Sequence, residues 1–167
     1  MKWLTALALM MITTSVFAQG NKANTSPGAK WKEECGSCHI AYPARFLSAD
    51  SWLRMMRSLD KHYGTSAELD AADNRIISEY LKRNAASSSQ RTSKSMRITD
   101  TAWFRGEHDE ISSRAWTDPA IKSPSNCTAC HVRADKGDWS EDGVRMPNGL
   151  SAEGDEGNDE DEEEDGD

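Results

Sequence analysis

Apolar residues recur at helical spacing in the first half of the chain. From Trp52 to His62 they follow at steps of three and four, which predicts a helix with His62 on its apolar face. Ser48 or Asp50 can cap its start, and Gly64 its end. A helix before it is expected from near Lys30. A third is predicted after it, capped by Asp70 and ending near residue 84, with the stripe Leu69, Ile76, Ile77, Tyr80 and Leu81.

The second half is less regular and predicts more loop than helix. Asp100 can cap a short helix that places Phe104 and His108 on one face, four residues apart. Pro119 and Pro124 interrupt the chain before Asn126, the expected cap of a last short helix. Between the halves, the serine-containing stretch 87–95 is the predicted linker.

The two ends of the chain differ from the rest. Residues 1–18 combine one lysine, a short apolar core and a small residue at Ala18, which predicts a cleaved secretory signal peptide; an uncleaved anchor is the alternative. No later stretch is apolar enough to span a membrane. Export predicts the periplasm if the source is Gram-negative.

Acidic residues are concentrated at the C-terminus. Residues 151–167 hold 11 Asp and Glu and no Lys or Arg, so removing them changes the net charge from −8 to +3 for residues 1–150. This composition predicts a disordered acidic tail. Three roles are open for this tail: solubility, electrostatic steering toward a basic partner, or a mobile cover over the basic surface of residues 1–150.

The chain's four cysteines all lie in two C-x-x-C-H runs, at 35–39 and 127–131. This motif attaches a c-type haem: the two thiols bond to the porphyrin, and the adjacent histidine reaches the iron. Zinc knuckles or a redox dithiol are the alternatives, but neither needs a histidine after both pairs. The sequence therefore predicts two covalently attached c-type haems on Cys35, Cys38, Cys127 and Cys130.

The chain has two further histidines for two irons. His62 follows His39 by 23 positions, and His108 precedes His131 by 23. One spare histidine per haem favours bis-histidine ligation at both irons. Methionine is the competing ligand, with Met55 or Met56 at the first iron and Met146 at the second.

These predictions combine into a mainly α-helical protein with two haem-binding units. Three helices around one haem form an N-terminal class I-like cytochrome c domain, and a small irregular C-terminal domain binds the other haem. The predicted divisions are the signal peptide 1–18, the first haem domain 19–86, the linker 87–95, the second haem domain 96–150 and the tail 151–167. The protein core is thin, so removing the haems should largely unfold the chain.

Several segments together resemble the bacterial dihaem cytochrome c family over roughly residues 31–149. They are the run 35–43, the segment 59–64, the pair 97–99 and 104–108, and the run 126–131. The resemblance implies a small periplasmic electron carrier with His39 and His62 on the first iron and His131 and His108 on the second. It also implies redox partners, among them a small oxygen-binding c-type haem protein and a membrane b-type cytochrome.

The expected function is therefore electron transfer between redox proteins rather than catalysis, with no nucleic-acid partner. Two histidines on each iron leave no position for oxygen, peroxide or nitrite. The alternatives are a dihaem enzyme, such as a peroxidase or small-molecule reductase, and a haem-based redox sensor. An enzyme needs a separate acid–base group near the iron, and no further histidine exists to supply it.

Overall fold

The computed structural model describes residues 25–147, a range that is mainly helical and contains no β-strand beyond three isolated bridges. The predicted signal peptide and acidic tail lie outside it. Within it, none of the helices has the length and apolar character needed to cross a membrane. Short 3-10 turns connect five α-helices: α1 (Pro27–Cys35), α2 (Ala49–Met56), α3 (Ala71–Asn84), α4 (Ala102–Gly106) and α5 (Ser113–Thr117).

Helix α1 begins earlier than the sequence pattern predicted. Ser26 accepts a hydrogen bond from the Ala29 amide, and Pro27 occupies the first turn, where its missing N–H costs nothing. The helix ends at Cys35, so the rest of the first C-x-x-C-H run lies in the turn that follows. Only the first cysteine of this run is helical.

Helix α2 begins at its predicted cap but ends six residues before His62. Ser48 caps it through the Ser51 amide. At the other end, the Ser58 hydroxyl donates to the carbonyl oxygens of Arg54 and Met55, which takes up acceptors of the last turn. The prediction that His62 lies on the face of this helix is wrong. His62 instead follows the 3-10 turn Leu59–Lys61.

Helix α3 has the predicted cap and end, and it carries the core of the first half. Asp70 accepts hydrogen bonds from the amides of Ala72 and Asp73. Ile77 and Leu81 are fully buried, whereas Ile76, expected in the same stripe, is 37% exposed. The buried cluster joins α2, α3 and the turn before α2, and consists of Ala44, Leu47, Trp52, Met56, Ile77 and Leu81.

Replacing Asp70 with alanine should lower the free energy of unfolding by about 1 kcal/mol, because two amides of the first turn lose their acceptor. Denaturant unfolding of the haem-loaded protein measures this loss. Glu79→Ala is the matched control, since Glu79 is exposed on the same helix. Equal stability of the two variants would contradict the capping role.

The 87–95 stretch lies against the first half rather than standing apart from it. The Ser48 amide donates to the Arg91 carbonyl at 3.0 Å, and the Ser93 amide donates to the Ser51 hydroxyl at 3.3 Å. Ser93 is only 3% exposed. The proposed linker is thus anchored along helix α2, while the division of the chain into two haem domains stays a prediction.

The second half has short helices and few buried apolar residues. Thr101, not the expected Asp100, caps α4 through the Phe104 amide. The halves also meet through aromatic rings, because Phe46 contacts Trp103 at 5.2 Å and Trp139 at 4.8 Å between ring centroids. A single phenylalanine of the first half therefore packs against two tryptophans of the second.

Candidate haem sites

The fold brings His39 and His62 face to face in the first half. Their ring centroids are 6.1 Å apart, and the ring planes differ by 24°. His39 lies in the turn after α1, and His62 lies in the loop that returns from α2 toward α3. The two histidines thus lie on two irregular segments, one that follows α1 and one that connects α2 to α3.

The second pair has the same spacing. The ring centroids of His108 and His131 are also 6.1 Å apart, with the planes at 65°. His108 follows α4, and its ring stacks on Phe104 at 4.1 Å, as the predicted step of four required. Each spare histidine therefore faces the motif histidine of its own half, and the two do not cross over.

The four cysteines belong to the same two motifs as His39 and His131, and none forms a disulfide. Cys127 belongs to a 3-10 turn, Cys127–Ala129, and not to the helix expected there. The Asn126 side chain does not cap this turn: its amide donates to the Ile121 carbonyl, and its oxygen accepts from Thr128. The predicted second haem helix is therefore wrong, because the capping side chain is used in other hydrogen bonds.

Burial sets the protonation of these groups. It raises the pKa of the Cys35 and Cys127 thiols to about 11, so both are neutral at physiological pH. It also lowers the pKa values of His62 and His131, and the neighbouring histidine of each pair lowers them further. Neutral imidazole is the form that binds a metal, and burial favours this form at His62 and His131.

The four histidine rings differ in their hydrogen bonds. Nδ1 of His39 donates to the Ile40 carbonyl at 2.7 Å, and Nδ1 of His108 donates to the Phe104 carbonyl at 2.9 Å. Nδ1 of His131 is buried and finds no partner within residues 25–147. In the same range, the His62 ring makes no hydrogen bond. Such bonds normally orient metal-bound imidazoles, so the four rings are held in different ways.

The methionines that were the alternative iron ligands do not face the motif histidines. Met56 is buried in the core cluster, and Met55 packs against that cluster. The Met146 sulfur lies 3.9 Å from the Cys130 sulfur, beside the attachment residue, whereas it is His108 that faces His131. The geometry favours histidine over methionine at both sites.

The residues present fit a haem at each pair. Two metal–imidazole bonds of about 2 Å each, plus about 1 Å from each nitrogen to its ring centre, give roughly 6 Å between ring centroids. Both pairs have this separation. A zinc site does not fit, because no group of three or more His, Cys, Asp or Glu in the described part of the chain is arranged to hold a metal ion.

Comparison with known proteins identifies the family. The family model described as Dihaem cytochrome c matches residues 31–139, more than half of the 167 residues. The chain belongs to the dihaem cytochrome c family. This dihaem cytochrome c therefore carries two c-type haems, as the two motifs predicted.

Solved structures agree with this assignment. A dihaem cytochrome c from Shewanella baltica OS155 is 40% identical, with a TM-score of 0.64, and the match covers 73% of this chain and 94% of that one. A dihaem cytochrome c from Rhodobacter sphaeroides is 42% identical, with a TM-score of 0.57 and coverage of 65% and 93%. No protein with a curated function matches the sequence.

Two tyrosines that the sequence pattern did not predict as site residues lie beside the first histidine pair. The Tyr42 ring stacks on His39 at 5.0 Å, and its hydroxyl donates to the Ser125 carbonyl at 2.8 Å, two residues before Cys127. Tyr63 contacts His62 from the other side, also at 5.0 Å. Nothing in the sequence indicated that the Tyr42 hydroxyl would reach the second motif. Tyr63 is adjacent to a candidate ligand, which was the one available signal.

The tryptophans lie at different distances from the two histidine pairs. Trp31 lies 5.3 Å from Tyr80 of α3 and lines a cavity together with Gly36 and His39, whereas the Trp52 indole donates to the Ala44 carbonyl at 2.6 Å inside the core cluster. Trp139 lies 5.5 Å from His131, and Trp116 lies 6.0 Å from His108, between ring centroids. These two rings shield the second pair.

Proposed function

We propose that this dihaem cytochrome c carries single electrons between redox proteins of the periplasm through two bis-histidine haems. The observation that carries the proposal is the equal 6.1 Å spacing of the two histidine pairs. The residues that hold the cofactors are Cys35, Cys38, His39 and His62 for the first haem, and Cys127, Cys130, His131 and His108 for the second.

When bound, each haem supplies an iron that changes between the ferric and ferrous states by one electron. The chain's own residues keep the surroundings constant during this change. Two histidines at each site would leave the iron no open coordination position, and Nδ1–H bonds to backbone carbonyls hold the His39 and His108 rings in orientation. Little rearrangement is then needed when the charge of the site changes.

Aromatic side chains limit water near the second site. Phe104 and Trp116 pack against His108, and Trp139 packs against His131. Apolar surroundings disfavour charge separation and keep small polar molecules away from the ligands. This arrangement supports a carrier better than an enzyme, which needs an acid–base group and access for substrate.

The periplasmic location and the partners rest on the sequence. The signal-peptide pattern of residues 1–18 supports export, and haem attachment to exported chains supports the same compartment. The family resemblance supports an oxygen-binding c-type haem protein and a membrane b-type cytochrome as partner classes. We further propose that residues 19–86 and 96–150 each form the domain of one haem.

The first test is spectroscopic and uses the haem-loaded wild-type protein. We expect two haems per chain, two low-spin ferric signals in electron paramagnetic resonance (EPR), no methionine-to-iron charge-transfer band and no carbon monoxide binding after reduction. A high-spin fraction, or carbon monoxide binding by the wild type, would contradict bis-histidine ligation and favour an enzyme or sensor.

A further inference from the structure

The residue after His62 has an unusual backbone conformation. Tyr63 has φ of 48°, in the left-handed region that bulky side chains rarely adopt, and Gly64 beside it has φ of 100°. Burial in the core does not explain a tyrosine here, since 43% of its surface is exposed. Strained residues persist only when their surroundings hold them, and they concentrate at functional sites.

Three contacts hold the Tyr63 side chain. Its ring lies edge-on to the His62 ring, at 5.0 Å and 60°. Its hydroxyl donates to the Ser95 carbonyl at 3.2 Å, and the Arg97 guanidinium lies over its ring, 4.1 Å from the centroid. The Ser95 side chain in turn donates to the Asp100 carboxylate. The strained loop is thus tied to a segment more than 30 residues later.

His62 needs such a support more than the other three histidines do. His39 and His131 belong to motifs whose cysteines bond to the haem, so their positions are fixed covalently. His108 is held by its Nδ1 bond and by stacking on Phe104. His62 lies in a loop, and across the described residues its ring makes no hydrogen bond. Ring contacts alone orient it.

We propose that Tyr63 is the positioning residue of the first haem's distal ligand, holding His62 on the iron through its anchor to Ser95 and Arg97. The inference rests on the proposed ligation by His62 and goes beyond it. It makes His62 the ligand most easily released. It also makes the first haem sensitive to the segment 95–97, which precedes the second haem's helix α4.

The test uses Tyr63→Phe, which removes the anchoring hydroxyl, and Tyr63→Gly, which removes the ring and relieves the backbone strain. Arg97→Gln removes the cation above the ring. The matched control is Tyr42→Phe, which breaks a similar hydroxyl-to-carbonyl bond beside His39. Each haem-loaded protein is reduced and mixed with carbon monoxide, and the ferric forms are compared by EPR.

We expect Tyr63→Phe and Arg97→Gln to bind carbon monoxide at least about tenfold faster than the wild type, at one haem only. Tyr63→Gly should bind it at nearly half of the total haem. One of the two low-spin EPR signals should shift while the other stays. Tyr42→Phe should behave as the wild type, because the His39 ring keeps its bond to Ile40.

Wild-type behaviour of all three Tyr63 and Arg97 variants would overturn the proposal, and so would equal opening in Tyr42→Phe. His62→Ala separates this failure from failure of the proposed function. If His62→Ala binds carbon monoxide and the Tyr63 variants do not, His62 is a ligand but Tyr63 does not position it. If His62→Ala stays inert, His62 is not the ligand and both proposals fail.

Discussion

Replacing His108 with alanine is expected to turn a protein inert to carbon monoxide into one that binds it at one of two haems. In the proposed ligation, His131 would still hold the second iron, while the position that His108 fills would lose its imidazole. The adjacent rings of Phe104 and Trp116, 4.1 and 6.0 Å from the His108 ring, offer no metal ligand in its place. Half of the haem should therefore become high-spin or water-bound.

Optical titration of the reduced protein with carbon monoxide measures this change, and the bound amount should reach one molecule per chain. His108→Met is the matched variant: a thioether can replace the imidazole, so we expect a low-spin iron with a higher reduction potential. If His108→Ala remains inert, another residue holds the iron. Met146, which lies beside Cys130, is the first candidate for that ligand. The double variant His108→Ala with Met146→Ala tests it.

Replacing Cys127 and Cys130 together with serine is expected to remove one haem and unfold most of the second half. The two halves have unequal protein cores. The first contains the continuous cluster around Ile77 and Leu81. In the second, between residues 98 and 147, the described buried apolar residues are only Phe104, Ala115, Ile121 and Ala134. Helices of five residues are not stable without further packing, so the haem must supply that apolar surface.

Limited proteolysis with mass spectrometry measures this effect. Cleavage within residues 98–147 should become at least about tenfold faster, while α3 stays resistant and the haem-to-chain ratio falls from two to one. The matched control is Cys35→Ser with Cys38→Ser, which should loosen α1 and the His62 loop while the α2–α3 contacts persist. Protease resistance of the Cys127/Cys130 variant equal to that of wild type would show that the second half folds without its haem.

Some features of this protein could be predicted from local sequence. The C-x-x-C-H runs contain the attachment chemistry within five residues, and the family comparison agrees with the two haems they indicated. Helix α3 was predicted with its cap and end, because both the Asp70 side chain and the amides it binds lie within one turn. These features depend on interactions between near neighbours in the chain.

Other local predictions failed where a side chain had two possible partners. The apolar spacing from Trp52 to His62 indicated one helix, but the Ser58 amide donates to the Met55 carbonyl, three residues back, while the Ser58 hydroxyl donates to the Arg54 carbonyl. Asn126 was expected to cap a helix and instead binds the Ile121 carbonyl. Spacing alone does not tell which of two competing hydrogen bonds forms, because the free energies differ by little.

The sequence by itself determined the haem attachment points, the mainly helical class and one spare histidine for each iron. Only the tertiary structure decided which histidines face each other, that Met146 lies beside Cys130 rather than opposite His131, and that Tyr63 supports His62. Each of these depends on where the chain returns after 16 or more residues. Such a path is fixed by contacts between distant segments, such as Phe46 with Trp139 and Tyr63 with Ser95. These contacts form together when the chain packs, so no short stretch of sequence encodes them.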